Sequence, residues 1–400
     1  MFVSELYSLR MFNSMFSGYE IGGILLYVWV LAGFVIYRRR KRTHLCNVGS
    51  VSPVILIFLG LFLSMVSAYV LYEQGFVQSL ITYRHQYLWI IVIALLYVKP
   101  NERSLIKSLN WFGVTCIIAT FLRTFFFPQW FVGKNGEQLV ASEITELVVC
   151  RGYPILTIPL YYYCDRMRRD FKKKDVFWVC LYLFFFLMLQ NRSTLFVATI
   201  IVGYSFVTSK KKKIAIPVTI LLGLIFLYFS YDIFVDLNNE TTSQINDGDY
   251  NRTKAFEHMF LKSNKDLLAI VFGKGFLSSH ATNDMSNLMS LGIFNSDVGF
   301  IGYWDQFGIL PVIVFVSIVI KTIFSKQMPF YVKASGLHIL VCSVTISYFG
   351  TTSGIVWFSL FYFMFFYYEN RGIQLKKRHI TIKSYMRKKL LMIDIGKNMT

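Results

Sequence analysis

An all-α fold is what this sequence predicts: a polytopic transmembrane helical bundle of about eleven helices, with one long exoplasmic loop that carries an amphipathic helix. Three observations carry the expectation. The chain of 400 residues is 55% hydrophobic and 18% aromatic with only 16% charged residues, too few charges to cover a soluble domain of that size. Its apolar residues fall into runs of about 15–25 residues, close to what a helix needs to cross a bilayer core of about 30 Å. Its 41 Lys and Arg residues are divided very unevenly between alternate connections.

The runs are 20–37, 52–72, 86–98, 109–127, 148–164, 176–190, 193–208, 214–231, 298–324, 335–350 and 354–368. They divide the chain into eight helices over 1–231, an exoplasmic loop over 232–297, three helices over 298–368 and a basic tail over 369–400. One set of connections holds Arg38–Arg42, Lys99, Arg103, Lys107, Arg166–Lys174, Lys210–Lys213, Lys321, Lys326, Lys333 and the tail from Arg371. These are 30 of the 41 basic residues, with only 6 acids. The opposite set has 11 basic and 16 acidic residues, so the two faces carry about +24 and −5. The positive-inside rule makes the first set cytoplasmic, with the N-terminus outside and the C-terminus inside. The net charge of +19 is therefore topological and meets anionic lipid; no nucleic-acid partner is expected.

The first run ends in Arg38-Arg-Arg-Lys-Arg42, and Met1 to Gly18 lacks a basic stretch followed by an apolar core, so it reads as an anchor and not as a cleavable signal. An exoplasmic N-terminus implies either a minimal leader or an upstream helix. The cysteines at 46, 116, 150, 164, 180 and 342 have no metal-ligand spacing, and only Cys150 falls outside. No disulfide framework, metal site or cofactor is expected. The tail is basic and weakly amphipathic (Ile380, Ile382, Tyr385, Leu390), as a segment resting on anionic headgroups is. Neither an internal repeat nor paired Gly/Pro-broken spans mark a secondary transporter, and span centres are almost purely Leu, Ile, Phe, Val and Tyr.

The most informative stretch runs from Asp232 to Gly302. At its centre stand Tyr250-Asn-Arg-Thr-Lys-Ala-Phe-Glu-His-Met-Phe and then Gly273-Lys-Gly-Phe276. If 250–265 is helical, Arg252, Phe256, Met259 and Phe260 share one arc of about 100°, with Lys254, Glu257, His258 and Lys265 opposite. An arginine on the apolar face points at the protein or its interface. Asp247-Gly-Asp249 resembles a metal-holding DxD, but on the outer face it reads as an acidic turn. Gly273 and Gly275 read as turn residues, because the sequence around them lacks the rest of a phosphate loop.

Further arginines stand at the outer ends of spans: Arg84, Arg123, Arg151 and Arg192. Any one of them could snorkel to headgroups or pair with Glu143, Glu146 or Asp297. As a set they suit phosphate, because guanidinium stays charged and forks onto two oxygens at once. Several arginines can neutralise a lipid-linked diphosphate without metal and stabilise it as a leaving group. Trp130, Tyr153, Tyr250 and Trp304 are placed to stack on sugar rings or to anchor at the interface. His280, Asp284 and Asp297 are the available outer general bases.

Asn191-Arg-Ser-Thr at the start of a span, Asn251-Arg-Thr and Gly273-Lys-Gly-Phe276 in the outer loop, then Ser296-Asp-Val-Gly-Phe-Ile-Gly302 and Phe307-Gly-Ile309, together resemble the O-antigen polymerase (Wzy) and O-antigen ligase superfamily. The resemblance covers about 150–324 by motif and the whole chain by architecture. It implies a metal-independent glycosyltransferase of the bacterial inner membrane, acting on undecaprenyl-diphosphate-linked glycans at the outer face. It implies that Arg192 and Arg252 hold the donor diphosphate, with Arg151 and Arg84 matching more loosely; apart from the resemblance, Asp297 or His280 is the base expected to deprotonate the acceptor hydroxyl. Ligases of that superfamily carry a His-Asn pair where this chain has Ser296-Asp297, a departure that favours polymerase. A chain-length regulator and a flippase are the partners such an enzyme implies. The alternatives are a ligase of the same superfamily, a flippase for the same lipid-linked unit, or a structural or sensory membrane protein.

Overall fold

The computed structural model describes residues 27–33, 35, 48–125, 154–188, 192–211, 213, 217, 251–257, 259, 266–277, 298–345 and 348–372. Every regular element among them is helical, as the apolar runs require. In chain order they are α1 (Val48–Tyr72), α2 (Phe76–Thr82), α3 (Ile90–Val98), α4 (Glu102–Phe125), α5 (Thr157–Arg169), α6 (Lys173–Met188), α7 (Arg192–Val207), α8 (Asn251–Glu257), α9 (Leu267–Phe272), α10 (Gly299–Phe307), α11 (Ile309–Phe324) and α12 (Phe330–Thr345). The last helix, α13, covers 352–372. A 3-10 turn, Tyr83–Trp89, joins α2 to α3. All but residue 217 of the expected span 214–231, the tail beyond 372, the Asp247-Gly-Asp249 turn and most of the segment 232–297 lie outside the described residues.

Helix α13 is the centre of the packing. It is apolar on all sides, and residues 354–366 are all buried, the pattern of a core helix. Phe358 meets Trp89, Phe315 and Phe349 with ring centroids 4.9–5.6 Å apart, and Phe315 stacks on Phe349 at 4.1 Å. Polar side chains between helices find one another: the Tyr161 hydroxyl meets His338 Nδ1 at 2.5 Å, joining α5 to α12. Asn110 of α4 donates to the Tyr163 hydroxyl and accepts from that of Tyr182.

Two helical stretches, Gly49–Tyr72 and Phe76–Val98, are long and apolar enough to cross a membrane, and Ser193–Val207, Ile309–Phe324 and Phe330–Val344 are shorter apolar helices. The outward faces of the helices are apolar too. Ile55, Phe62, Val77, Trp111, Phe196 and Phe324 are all more than half exposed.

Several boundaries differ from those read off hydropathy. The expected helix 298–324 is broken at Gly308, which takes φ 79° and separates α10 from α11. Helix α5 runs past its apolar run to Arg169. Arg166, Arg168 and Arg169 in its last turn complement the helix dipole, and Arg166 and Arg169 also pair with Asp175 and Asp165. Residues 335–350 resolve into α12, which ends at Thr345, and a 3-10 turn at Tyr348–Gly350.

The polar termini of the helices collect at two ends. At one end the Tyr331 hydroxyl donates to Glu102, Lys321 pairs with Glu369 at 2.7 Å, Lys172 and Lys211 share Asp170, and Lys210 N donates to Arg168 O. All of these belong to the one strongly basic set of connections. At the other end the loops near 74–86, 273–276, 298–308 and 348–352 meet.

Candidate functional site

The second end is built around the segment Gly273-Lys-Gly-Phe276. Its backbone lies against the end of α10: Lys274 N donates to Asp305 O at 2.7 Å and Gly275 N to Gln306 O at 2.9 Å. The approach requires glycine on both sides. Gly273 and Gly308 both have φ near +80°, and a Cβ on either would run into the other's backbone neighbourhood. Gly275, at φ 82°, sits on α1, where a Cβ would come within 2.6 Å of Ala68 Cβ and 2.9 Å of Ser64 O. Side chains finish the seat. The Tyr83 hydroxyl accepts from Phe276 N at 2.9 Å and meets Ser64 Oγ at 2.8 Å, Gln74 donates to Phe276 O, and the Trp304 indole donates to Ile270 O.

Inside this seat Lys274 Nζ donates to Asp305 Oδ1 at 2.5 Å, with each side chain 9% exposed. Burying such charges is tolerated only when they are paired. The sequence reading found the glycines and missed the pair. Lys274 stood inside what read as a plain turn, and Asp305 inside what read as one apolar span. A cation between two glycines and the one carboxylate of the run 298–324 were the available signal.

Helix α8 packs on the same end. Ala255 and Met259 are buried against Val298, with Ile301 beside them. Position 252 is helical and in register with Ala255, three residues on, at about 100° per residue. The expected apolar arc is corrected at one place: Phe256 is 40% exposed, and among the described side chains of the helix Ala255, not Phe256, is fully buried. Helix α7 begins at Arg192, and its first turn reaches this end through Thr194, whose hydroxyl meets that of Tyr348 at 3.3 Å. Phe349 stacks on Phe300 of α10 at 5.5 Å. Helix starts at positions 192 and 252 are thereby brought to the end that holds Lys274 and Asp305.

Arg84 is at this end also, one residue from Tyr83, but it is exposed. Its guanidinium donates to Ile81 O at 3.2 Å, and its carbonyl accepts from the Tyr27 hydroxyl at 2.7 Å. Beside it, Gln86 donates to Gly350 O and His85 Nδ1 lies 3.4 Å from the Thr352 hydroxyl. The side chains of Arg123, Arg192 and Arg252, together with Arg151, His280, Asp284 and Asp297, lie outside the described residues. Cys116, Cys164, Cys180 and Cys342 are free thiols.

None of the known families, curated proteins or solved structures with which the chain was compared matches it.

Proposed function

We propose that the chain is a polytopic membrane glycosyltransferase of the O-antigen polymerase type, which joins lipid-linked glycan repeat units at the outer face of the bacterial cytoplasmic membrane. Membrane placement is supported by two span-length apolar helices and by large apolar side chains exposed along helix faces, which water would penalise. The gathering of the basic connections at one end of the molecule supports an orientation with that end cytoplasmic.

The single observation that carries the reading is the meeting, at the opposite end, of three motif segments: the start of α7, α8 together with the Gly-Lys-Gly loop after α9, and the start of α10. In the proposed reaction the acceptor sugar hydroxyl attacks the anomeric carbon of the donor glycan. The bond from that carbon to the diphosphate oxygen breaks, and undecaprenyl diphosphate leaves with the electron pair. Arg192 and Arg252, assisted by Arg151 and Arg84, bind the diphosphate and stabilise its charge on departure. Asp297 or His280 takes the hydroxyl proton. Binding of the donor needs no metal in this scheme, since the arginines supply the positive charge.

The test is surface-polysaccharide gel banding of a strain lacking the chain, complemented with wild type, Arg192→Ala or Arg252→Ala. The expected result is a single-repeat product in the deletion, long polymer restored by wild type, and single repeats again with each variant while both remain in the membrane fraction. Normal chain lengths with both variants would overturn the diphosphate role. Free lipid-linked polymer in the deletion would identify a ligase.

One observation favours a second reading, a flippase for the same lipid-linked unit. Lys274 and Asp305 form a buried ionisable pair within an apolar surrounding, and such pairs serve coupled carriers. Total loss of surface glycan in the deletion, with no single-repeat product, would select it.

A further inference from the structure

At the basic end, each described aspartate in or beside α5 already has a cation. Asp165 pairs with Arg169 at 2.8 Å, Asp170 with Lys172 at 2.9 Å and Lys211 at 3.9 Å, and Asp175 with Arg166 at 3.4 Å. Glu369 is held by Lys321, and Glu102 accepts from Tyr331. Arg168 and Lys333 form no direct ion pair among the described residues, although the charge of Arg168 also reaches Asp165, and both line one cleft of about 580 Å³ between α5, α7, α11 and α12.

Arg168 is pre-oriented there. Its Nε donates to Thr208 Oγ1 at 2.9 Å, and its guanidinium carbon lies 4.0 Å over the Phe330 ring and 5.7 Å over Tyr204, two rings that stack on each other at 6.0 Å. The Nε contact and the ring faces leave the two terminal nitrogens as a fork of the kind that fits phosphate. Below the rim the wall is apolar and open outward: Ile200 and Tyr204 are each 54% exposed and Leu337 is 41% exposed.

We infer that this cleft is a binding site for one anionic phospholipid. Its phosphate sits between Arg168 and Lys333, and an acyl chain lies along Ile200, Tyr204 and Leu337. Both halves of the cleft are needed for that occupant. Two cations without a direct ion pair select a negative headgroup, and an exposed apolar strip running away from them has no use for a soluble anion. The inference rests on the membrane placement proposed above and not on the transferase chemistry.

The experiment uses the purified full chain in detergent and in nanodiscs, with phosphatidylglycerol, phosphatidylcholine and inorganic phosphate as separate probes. Wild type is expected to retain phosphatidylglycerol in native mass spectrometry and to melt at a higher temperature with it, while phosphatidylcholine and phosphate give no such gain. Lys333→Gln, on the rim, is expected to lower phosphatidylglycerol affinity about tenfold with its lipid-free melting unchanged, and Arg168→Ala with Lys333→Gln to abolish the preference. Equal retention of both lipids by wild type, or an undiminished preference in Lys333→Gln, overturns the site. Stabilisation by phosphate alone equal to that by lipid overturns the lipid assignment. A chain that stays monodisperse without detergent and does not sediment with membranes overturns the membrane placement itself, an outcome distinct from loss of headgroup preference.

Discussion

Lys274 and Asp305 are joined twice, by a side-chain bond of 2.5 Å and by a backbone bond of 2.7 Å from Lys274 N to Asp305 O. The double link fastens the loop after α9 to the last turn of α10 and holds it under Tyr83. Removing one partner of a buried ion pair typically costs about 3–5 kcal/mol, because the other charge is left uncompensated, whereas replacing both by apolar residues is often nearly neutral. Lys274→Ala and Asp305→Ala are therefore expected each to lower the melting temperature of the purified protein markedly. Lys274→Met combined with Asp305→Leu should recover much of the loss. A double variant that melts normally yet makes no polymer would assign the pair a functional role beyond fastening the loop. One that melts normally and makes long chains would confine the pair to structure.

Glycine at 275 is demanded by both backbone and neighbours, and glycine at 203 by neither. A methyl group at 275 meets Ala68 and Ser64 at a positive φ, while one at Gly203, inside α7, meets nothing within 4 Å. Gly275→Ala is expected to be destabilising by more than the roughly 1 kcal/mol that a left-handed conformation alone costs. Gly203→Ala should be neutral or stabilising by about 0.5–1 kcal/mol, through helix propensity and a less free unfolded chain. Thermal melting of both variants checks the contrast, and equal effects would contradict the close packing of the loop on α1.

The basic end gives a pH dependence. Burial pushes the Asp165 and Asp175 carboxyls above the usual carboxylate range, against the opposing pull of Arg169 on the first and Arg166 on the second. From an ordinary value of about 3.9 up to those raised values, the folded chain binds more protons than the unfolded chain. Stability contributed by these groups is thus present at low pH and lost as pH rises through the window. Asp170 acts in the opposite sense: the hydrogen bond from Lys172 holds its carboxyl below the usual range, so its contribution disappears on acidification, and salt screens it. Neither Asp175 oxygen accepts a hydrogen bond among the described residues. Asp175→Asn is expected to flatten the fall in melting temperature as pH rises above the ordinary carboxylate value of about 3.9. An unchanged slope would remove burial of Asp175 as its cause.

Helix existence was legible in the hydropathy of long runs such as 52–72 and 193–208, which α1 and α7 reproduce within a few residues. Burial decides those segments, and burial leaves its trace in composition. The break at Gly308 was not legible, because a single glycine in an apolar run is tolerated in many helices. What turns the chain there is the backbone of residues 272–273, more than 30 residues away. The phase of α8 was legible at Met259 and misread at Phe256, where the fit of a small residue, Ala255, against Val298 outweighs ring hydrophobicity. In the candidate site, the glycines at 273 and 275 carried a local signal. The pairing of Lys274 with Asp305 spans 31 positions and depends on that same break, so no short-range pattern announces it.

Tyr83 offers a finer test of the loop seat. Its hydroxyl accepts from Phe276 N and is bonded to Ser64 Oγ, and its ring meets Phe276 and Phe307 edge-on at 6.4 and 5.4 Å. Tyr83→Phe keeps the ring contacts and removes only the oxygen, leaving the Phe276 amide without that partner, while the Ser64 hydroxyl still donates to Leu61 O at 2.8 Å. An unsatisfied buried polar group costs about 1–3 kcal/mol. The variant is therefore expected to fold, to melt a few degrees lower, and to exchange the Phe276 amide proton faster than wild type, with the Gly275 amide, still bonded to Gln306 O, less affected. If hydrogen exchange in 273–277 were the same in wild type and Tyr83→Phe, the hydroxyl would have no part in holding the loop, and the Lys274–Asp305 link alone would account for its position.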